Sequence, residues 1–353
     1  MYLRNIFLWL LFLSCISAYG QNAQTLRIQV NKNKTFNLSE ITEQVLPVGL
    51  EMNQAQPFDQ ISDVLWTDKF LFVSVNSIDL VLNRGLPTRV LQYDHSGKFI
   101  REIGEQDKNI RKLMCDTLKN LLFIPKGKTV YCYDFDGILK DTYPLKATPS
   151  FYCNGYFWIH YMASQQNELQ DSLVRYDLQT RKEDILIEYV GHLVKLENAS
   201  AGRPANFSFY GRAPVVSFGF DNMLHQIDGN KLNPIVKFTI EPELSTLEML
   251  FSQFQGFIGD YLCIHYWNTK ENNLYIKNMS TGQVFQTKYS YSREGILTGG
   301  IKDDMFATGF CNITPLNRSG YFYFIKKKEE LSGNPNITNK SATFTIFLVH
   351  LKS

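Results

Sequence analysis

Six histidines are the side chains of this 353-residue chain best suited to acid–base or metal chemistry, and two of them share a context. Tyr156-Phe-Trp-Ile-His160-Tyr161 and Tyr261-Leu-Cys-Ile-His265-Tyr266 match in pattern, and Trp267 follows the second. An imidazole beside a phenol or indole can move a proton, ligate a metal or orient a stacked ligand. Two readings stay open: a packing histidine kept by duplication, or part of a polar and aromatic binding floor. The two histidines fall in non-neighbouring units and no third ligand is evident, so a shared metal is not expected. The candidate ligand-contact set is therefore His160, Tyr161, His265, Tyr266 and Trp267, with Arg111 as a weaker charged neighbour. No catalytic residue, metal or cofactor is assigned. His95, in a turn, and His350, near the C-terminus, read as structural or solvated.

Other chemistry is sparse. The chain holds no GxSxG elbow, HExxH pair, P-loop or EF-hand loop. The adjacent pairs Asp303-Asp304 and Glu329-Glu330 point to opposite faces of a strand, which suits solvation better than paired acid–base work. With 36 basic and 34 acidic residues the formal charge is +2, which excludes a nucleic-acid arm held by bulk charge. With 44% hydrophobic and 14% aromatic residues, the chain is not disordered and is rich in strand formers.

The first twenty residues read as an export signal. Met1–Arg4 is a short basic start, 6–13 (IFLWLLFL) is too short an apolar run to span a bilayer, and Ala18-Tyr19-Gly20 offers a cleavage site before Gln21. A less favoured reading takes Phe12-Leu13-Ser14-Cys15 as a lipobox, with Cys15 lipidated. The protein is thus expected in the periplasm or at the cell surface, with no transmembrane span after signal removal. The mature chain keeps five cysteines: Cys115, Cys132, Cys153, Cys263 and Cys311. Their spacing fits no zinc motif and reads as buried free thiols, with a cross-strand disulfide left open.

The elements that must position any site come from an internal repeat. A hairpin pattern (apolar alternation, Asp or Asn, polar turn with Gly, second run) recurs at 90–104, 130–145 and 173–189, more loosely at 223–240 and 274–289. Counting Tyr93, Tyr133, Tyr176, Ile227 and Lys277 as equivalent, the steps are 40, 43, 51 and 50 residues. Asp94 and Asp134 can bond their own backbone two residues on, and Gly97 and Gly137 supply positive φ. Each hairpin follows another apolar run: KFLFVSVN, NLLFIPKG, GYFWIHYM, VVSFGFDN, DYLCIHYW and, for a sixth unit, DMFATGFCN. Four short strands per unit at this period predict a β-propeller blade. The best helical candidate is 321–331 (YFYFIKKKEEL). The sixth unit lacks its last strand, which 45–51 (VLPVGLE) can supply.

The expected fold is all-β: a six-bladed β-propeller of four-stranded antiparallel blades, closed by pairing an N-terminal strand with the C-terminal blade. The expected boundaries are 1–20 signal, 21–44 lead-in and 45–353 propeller, with an insertion at 314–342. FNLSEITEQVLPVGLE, QYDHSGKFIREIG and the closing strand at 343–352 resemble the exported six-bladed propellers of Bacteroidetes, whose blades are similar to NHL repeats. That resemblance implies fold and export but no settled activity. The function expected is a non-enzymatic binding or scaffold module, a monomer recognising a protein, peptide or glycan on one face of the ring. The alternative is a metal-dependent hydrolase or lyase, lactonase-like or amidating-lyase-like, working in the central channel.

Overall fold

The computed structural model describes residues 23–352 apart from 30–33, 53–56, 77, 80–83, 86, 109, 111, 166–167, 193–204, 219–222, 230, 242–254, 268–271, 292–296, 307–308 and 332–341. The signal expected at 1–20 and Arg111 lie outside the described residues.

The chain is a β-propeller. Blade 1 comprises Gln60–Trp66, Leu71–Asn76, Arg89–Tyr93 and Phe99–Glu102; blade 2 comprises Met114–Asp116, Leu121–Lys126, Thr129–Asp134 and Leu139–Pro144. Blade 3 runs through Phe151–Cys153, Tyr156–Gln165, Glu168–Asp177 and Glu183–His192, and blade 4 through Asn206–Tyr210, Ala213–Ser217, Met223–Asp228 and Lys231–Glu241. Blade 5 takes Gln255–Ile258, Tyr261–Trp267, Asn272–Asn278 and Val284–Tyr291, with Leu297–Gly299 as a fifth strand. All of these pairings are antiparallel.

Two expectations fail at the end of the chain. DMFATGFCN is not the second strand of the last blade. Part of it, Phe310–Cys311, pairs with Ile301–Lys302 and, through that strand, with Phe36–Asn37 in a separate small sheet. Counted with this blade 6, the ring has seven blades, not six. Its strands are two residues long and one comes from the N-terminal lead-in, so it leaves no hairpin signature in the sequence. The closing blade 7 instead takes its second strand from Tyr321–Lys327, the stretch expected to be helical. Only Lys328–Leu331 forms a 3-10 turn. Consecutive aromatic side chains, nearly all buried, favour a strand, and here they decide it over the Lys/Glu run that follows.

Closure occurs where expected. Thr42–Gly49 pairs antiparallel with Phe344–Leu351, so the first and last parts of the chain share blade 7 with Thr314–Pro315 and Tyr321–Lys327. Pairing the two ends removes two open sheet edges. The lead-in does more than reach this strand. Gln24–Gln29 adds to the outer edge of blade 4 in parallel with Lys231–Glu241, burying Leu26 and Ile28. The Lys34 amide then donates to the Gln286 carbonyl at 2.8 Å on blade 5, and Gln286 Nε2 donates to the Gln29 carbonyl at 2.7 Å. After Phe36–Asn37 and the short helix Leu38–Ile41, the chain enters blade 7. This segment is a strap around the outside of blades 4 to 6.

The core is divided among the spaces between blades. Leu65, Phe72, Val90 and Ile103 of blade 1 pack on Leu122, Ile124 and Tyr133 of blade 2, and similar layers recur around the ring. Each such large side chain contributes ~1.5–3 kcal/mol by leaving water. Turn chemistry is as read from the sequence: Asp94 Oδ1 accepts the Ser96 and Lys98 amides at 2.9 and 3.0 Å, with Gly97 at φ 84°. Gly97 is also required by close approach, since a Cβ there would lie 2.1 Å from the Gly49 carbonyl oxygen.

Candidate functional site

Of the expected contact residues, the described His160, Tyr161, His265 and Tyr266 do not converge. Neighbours on a strand point to opposite faces, and His160 and Tyr161 obey this. His160 turns into the layer between blades 3 and 4, where its Nδ1 accepts the Ala205 amide at 3.0 Å and its ring lies 5.8 Å from Phe218. Tyr161 turns toward the layer between blades 2 and 3, and its hydroxyl donates to Glu183 Oε1 at 3.3 Å. Burial, with Glu183 close by, pushes its phenol up to about 12. His265 packs edge-on to Tyr289, centroids 5.1 Å apart, on the side of blade 5 that faces blades 6 and 7. Tyr266 lies on the other side, between blades 4 and 5, and its hydroxyl accepts from Gln286 Nε2 at 3.2 Å. Trp267 belongs to the second strand of blade 5, but its side chain is outside the described residues.

Both imidazoles are 8% exposed. Burial alone pulls His265 down to about 4, so it is neutral at pH 7. The register confirms that the two occupy one blade position, opposite Leu173 and Leu274, and that Ser74 and Pro125 are their equivalents. In blade 4 the equivalent is Ser217, which pairs with Leu224. Both rings lie in the layers between blades.

A different group of polar and aromatic side chains does converge, on the opposite face, where the turns joining first to second and third to fourth strands emerge. Trp66 ends the inner strand of blade 1, and the following turn is fixed by Thr67 Oγ1 accepting the Phe70 amide at 3.0 Å. The turn 316–320 of blade 7 reaches across to it. Asn317 Oδ1 accepts the Trp66 amide and Asn317 Nδ2 donates to the Trp66 carbonyl, both at 2.8 Å, as an added strand residue would. Held this way, Arg318 lies over the ring of Trp66 at 4.8 Å and over that of Tyr321 at 5.2 Å. The Trp66 and Tyr321 rings meet edge-on at 5.1 Å, and Tyr321 stacks on His350 at 4.4 Å.

The flanks of this seam carry charge. His350 Nδ1 is 2.8 Å from Glu43 Oε2, and Glu43 is the bulged residue where the register of the closing pair shifts. A bulge re-aims a side chain out of the alternating pattern. On the other flank, Trp66 Nε1 donates to His95 Nε2 at 3.2 Å, and the same nitrogen lies 2.9 Å from the Thr67 carbonyl. An Nε2 that carries a proton donates to Thr67; one that does not accepts from Trp66. Leu46, Val48, Leu71 and Leu348 pack beside Trp66 and His95 and leave no space for a water molecule among them. The guanidinium of Arg318 pairs with Asp68 at 3.6 Å, and the Asp68 side chain is 88% exposed.

One unusual acid stands on the innermost strand of blade 1. Asp63 Oδ2 accepts the Leu113 amide at 2.6 Å, joining blade 1 to the entry of blade 2. Burial raises its carboxyl to about 6 against the opposing charge of Lys112. The five described cysteines are free, four buried and Cys115 half-buried. Burial pushes Cys132 and Cys153 up to about 11 and Cys115 to about 12. Among the described residues no three His, Cys, Asp or Glu side chains converge as metal ligands.

Sequence reasoning missed this seam because its parts are 251 residues apart and only closure joins them. The available signal was the Asn317-Arg318-Ser319-Gly320 turn ahead of an aromatic run, set aside as part of an insertion.

No family model and no curated protein matches the chain. Solved structures do. An exported protein from Bacteroides fragilis aligns with a TM-score of 0.62 at 12% identity, covering 94% of this chain and all (100%) of that one. A member of the duf4221 family from Bacteroides vulgatus gives 0.48 at 10% identity over 88% of this chain and 97% of its own. The β-propeller domain of the trilobed protease of Pyrococcus furiosus gives 0.46 at 9% identity over 84% and 95%. At these identities the likeness is one of fold.

Proposed function

We propose that this chain is an exported, non-enzymatic binding propeller, monomeric, that meets a protein, peptide or glycan through one face of its ring. The observation that carries the reading is the seam between blades 1 and 7. There Trp66, Tyr321, Arg318 and His350 are held in place by Asn317 and Glu43, with His95 on the other flank. Large aromatic side chains and arginine on a rigid frame are the usual anchors of recognition surfaces. Export rests on the basic and apolar pattern of 1–20, with Gln21 as the mature terminus or lipidated Cys15 as the second option.

The test joins a binding screen to metal analysis. Purified mature protein is screened against glycan and peptide arrays, with Trp66→Ala plus Arg318→Ala as the seam variant. His265→Ala plus Trp267→Ala tests the face first expected. Binding lost in the seam variant and kept in the other supports the reading. Binding untouched by the seam variant refutes this surface, and stoichiometric calcium or zinc with turnover favours the hydrolase or lyase.

A further inference from the structure

Beyond the contact role proposed above, and independent of any ligand, we infer that the seam is a proton-operated joint. His95 locks the Trp66 indole while its Nε2 is bare and releases it once that nitrogen is protonated. The two contacts of this nitrogen cannot coexist. Trp66 Nε1, a donor only, lies 3.2 Å from His95 Nε2, and the Thr67 carbonyl, an acceptor only, lies 2.9 Å from the same atom. A ring protonated on Nδ1 alone accepts the indole proton at Nε2. A ring protonated on both nitrogens gives its Nε2 proton to Thr67 and sets two donors head to head against Trp66.

The backbone decides which partner yields. Thr67 is buried, and its turn is fixed by its amide donating to the Phe70 carbonyl at 2.9 Å and its Oγ1 accepting the Phe70 amide at 3.0 Å. The turn that carries His95 is fixed by Asp94 Oδ1, which accepts the Ser96 and Lys98 amides, and by Gly97 packed on the Gly49 carbonyl. Asn317 pins the backbone of Trp66 itself. The freedom left is that of the indole. Its movement breaks the edge-on contact with Tyr321 at 5.1 Å and takes away the ring under Arg318 at 4.8 Å.

Charge acts in the same direction. With both imidazoles neutral, the seam sets Arg318 against Asp68 and Glu43. Around it, Asp94 and Glu51 are matched by Lys98 and Lys69. Acid adds a cation at His95, beside Trp66, and another at His350, stacked on Tyr321. Those are the two rings that already carry the Arg318 guanidinium. Three cations then share two rings, and only the pair of His350 with Glu43 is strengthened.

The experiment uses the full mature chain, free of ligand and labelled with heavy nitrogen for NMR. The Trp66 indole N–H signal is assigned by its loss in Trp66→Phe. Across the span in which imidazoles titrate, roughly pH 8 to 5, that signal should follow a single curve. The ring nitrogens of His95 should pass on the same curve from the Nδ1–H tautomer to the doubly protonated form. His95→Gln, whose side-chain oxygen accepts at every pH, should hold the indole signal still, and His350→Gln should leave the titration in place. Linkage is reciprocal, so Trp66→Phe should raise the proton affinity of His95 about two- to tenfold, the worth of one hydrogen bond. Circular dichroism melts of each variant at neutral pH check that the ring is intact. An Nε2–H tautomer at the alkaline end, an indole signal that ignores pH, or a titration that persists in His95→Gln overturns the inference. So does a folded Trp66→Phe chain in which His95 binds its proton no more tightly than in the parent.

Discussion

The neutral, buried imidazole of His265 makes an acid-stability experiment decisive about the interior. Its pKa is 6.5 when unfolded and about 4 in the fold. As pH falls from 7 to 4 the unfolded chain takes up this proton first, so the fold loses stability. Each tenfold change in proton affinity is worth ~1.4 kcal/mol, which puts the loss at ~3 kcal/mol by pH 4. Asp63 acts in the opposite sense. Its carboxyl rises from 3.8 to about 6, so the fold holds a proton that the unfolded chain does not between those values. Stability from Asp63 therefore grows as pH falls through 6 toward 4, by ~2–3 kcal/mol, and is absent at pH 7. The two nearly cancel in the native chain. Urea unfolding followed by tryptophan fluorescence at pH 7, 5.5 and 4 separates them. His265→Leu should lose ~3 kcal/mol less than the parent between pH 7 and 4, whereas Asp63→Asn should lose ~2–3 kcal/mol more. Comparing each variant with the parent at each pH removes the common effect of the other carboxylates. A His265→Leu profile parallel to the parent would refute the buried neutral imidazole.

Further outcomes follow from the closure and the turns. Removing 343–353 deletes the third strand of blade 7 and strips Thr42–Gly49 of its partner, so cooperative unfolding should disappear; a truncated chain that melts like the parent would exclude closure by this pair. Gly97→Ala should cost ~1–3 kcal/mol or more by chemical denaturation, since it adds a Cβ 2.1 Å from the Gly49 carbonyl at a φ of 84°. Ile28→Ala, in the strap, should cost ~2–5 kcal/mol if the strand on blade 4 is part of the cooperative unit, and almost nothing if it frays independently.

The legible parts of the fold were those with local chemistry. Asp94 with Gly97 and Asp134 with Gly137 specify their turns within five residues, and the runs beside them alternate with period two. That was enough for five blades and the closing strand. Blade 6 was illegible because Ile301–Lys302 and Phe310–Cys311 are too short to carry a period, and Phe36–Asn37 pairs with them from the other end of the chain. Tyr321–Lys327 was misread because its buried positions run almost continuously, which erases the alternation that marks a strand. The placement of the site residues was illegible for a simpler reason. His160 and Tyr161 looked like one surface in a string of letters, but adjacent residues on a strand face different blades. Trp66 and Arg318 meet only after the ring shuts, and no local pattern encodes that.

The strap decides how the ring can be held. The chain enters the fold at Gln24 on the outer rim of blade 4, away from the axis and from both mouths. A lipid or tag upstream of Gln24 is thus tethered to the rim, and an anchor at Cys15 would have a leash of at most ~30 Å. Attached there, the disc is held by its rim rather than by either face. The other end offers no such freedom: Lys352 follows two residues after His350, and its ammonium donates to the Ser39 carbonyl at 2.9 Å beside the seam. A biosensor surface coupled through the N-terminus would leave the contact residues clear, and one coupled through the C-terminus would crowd them.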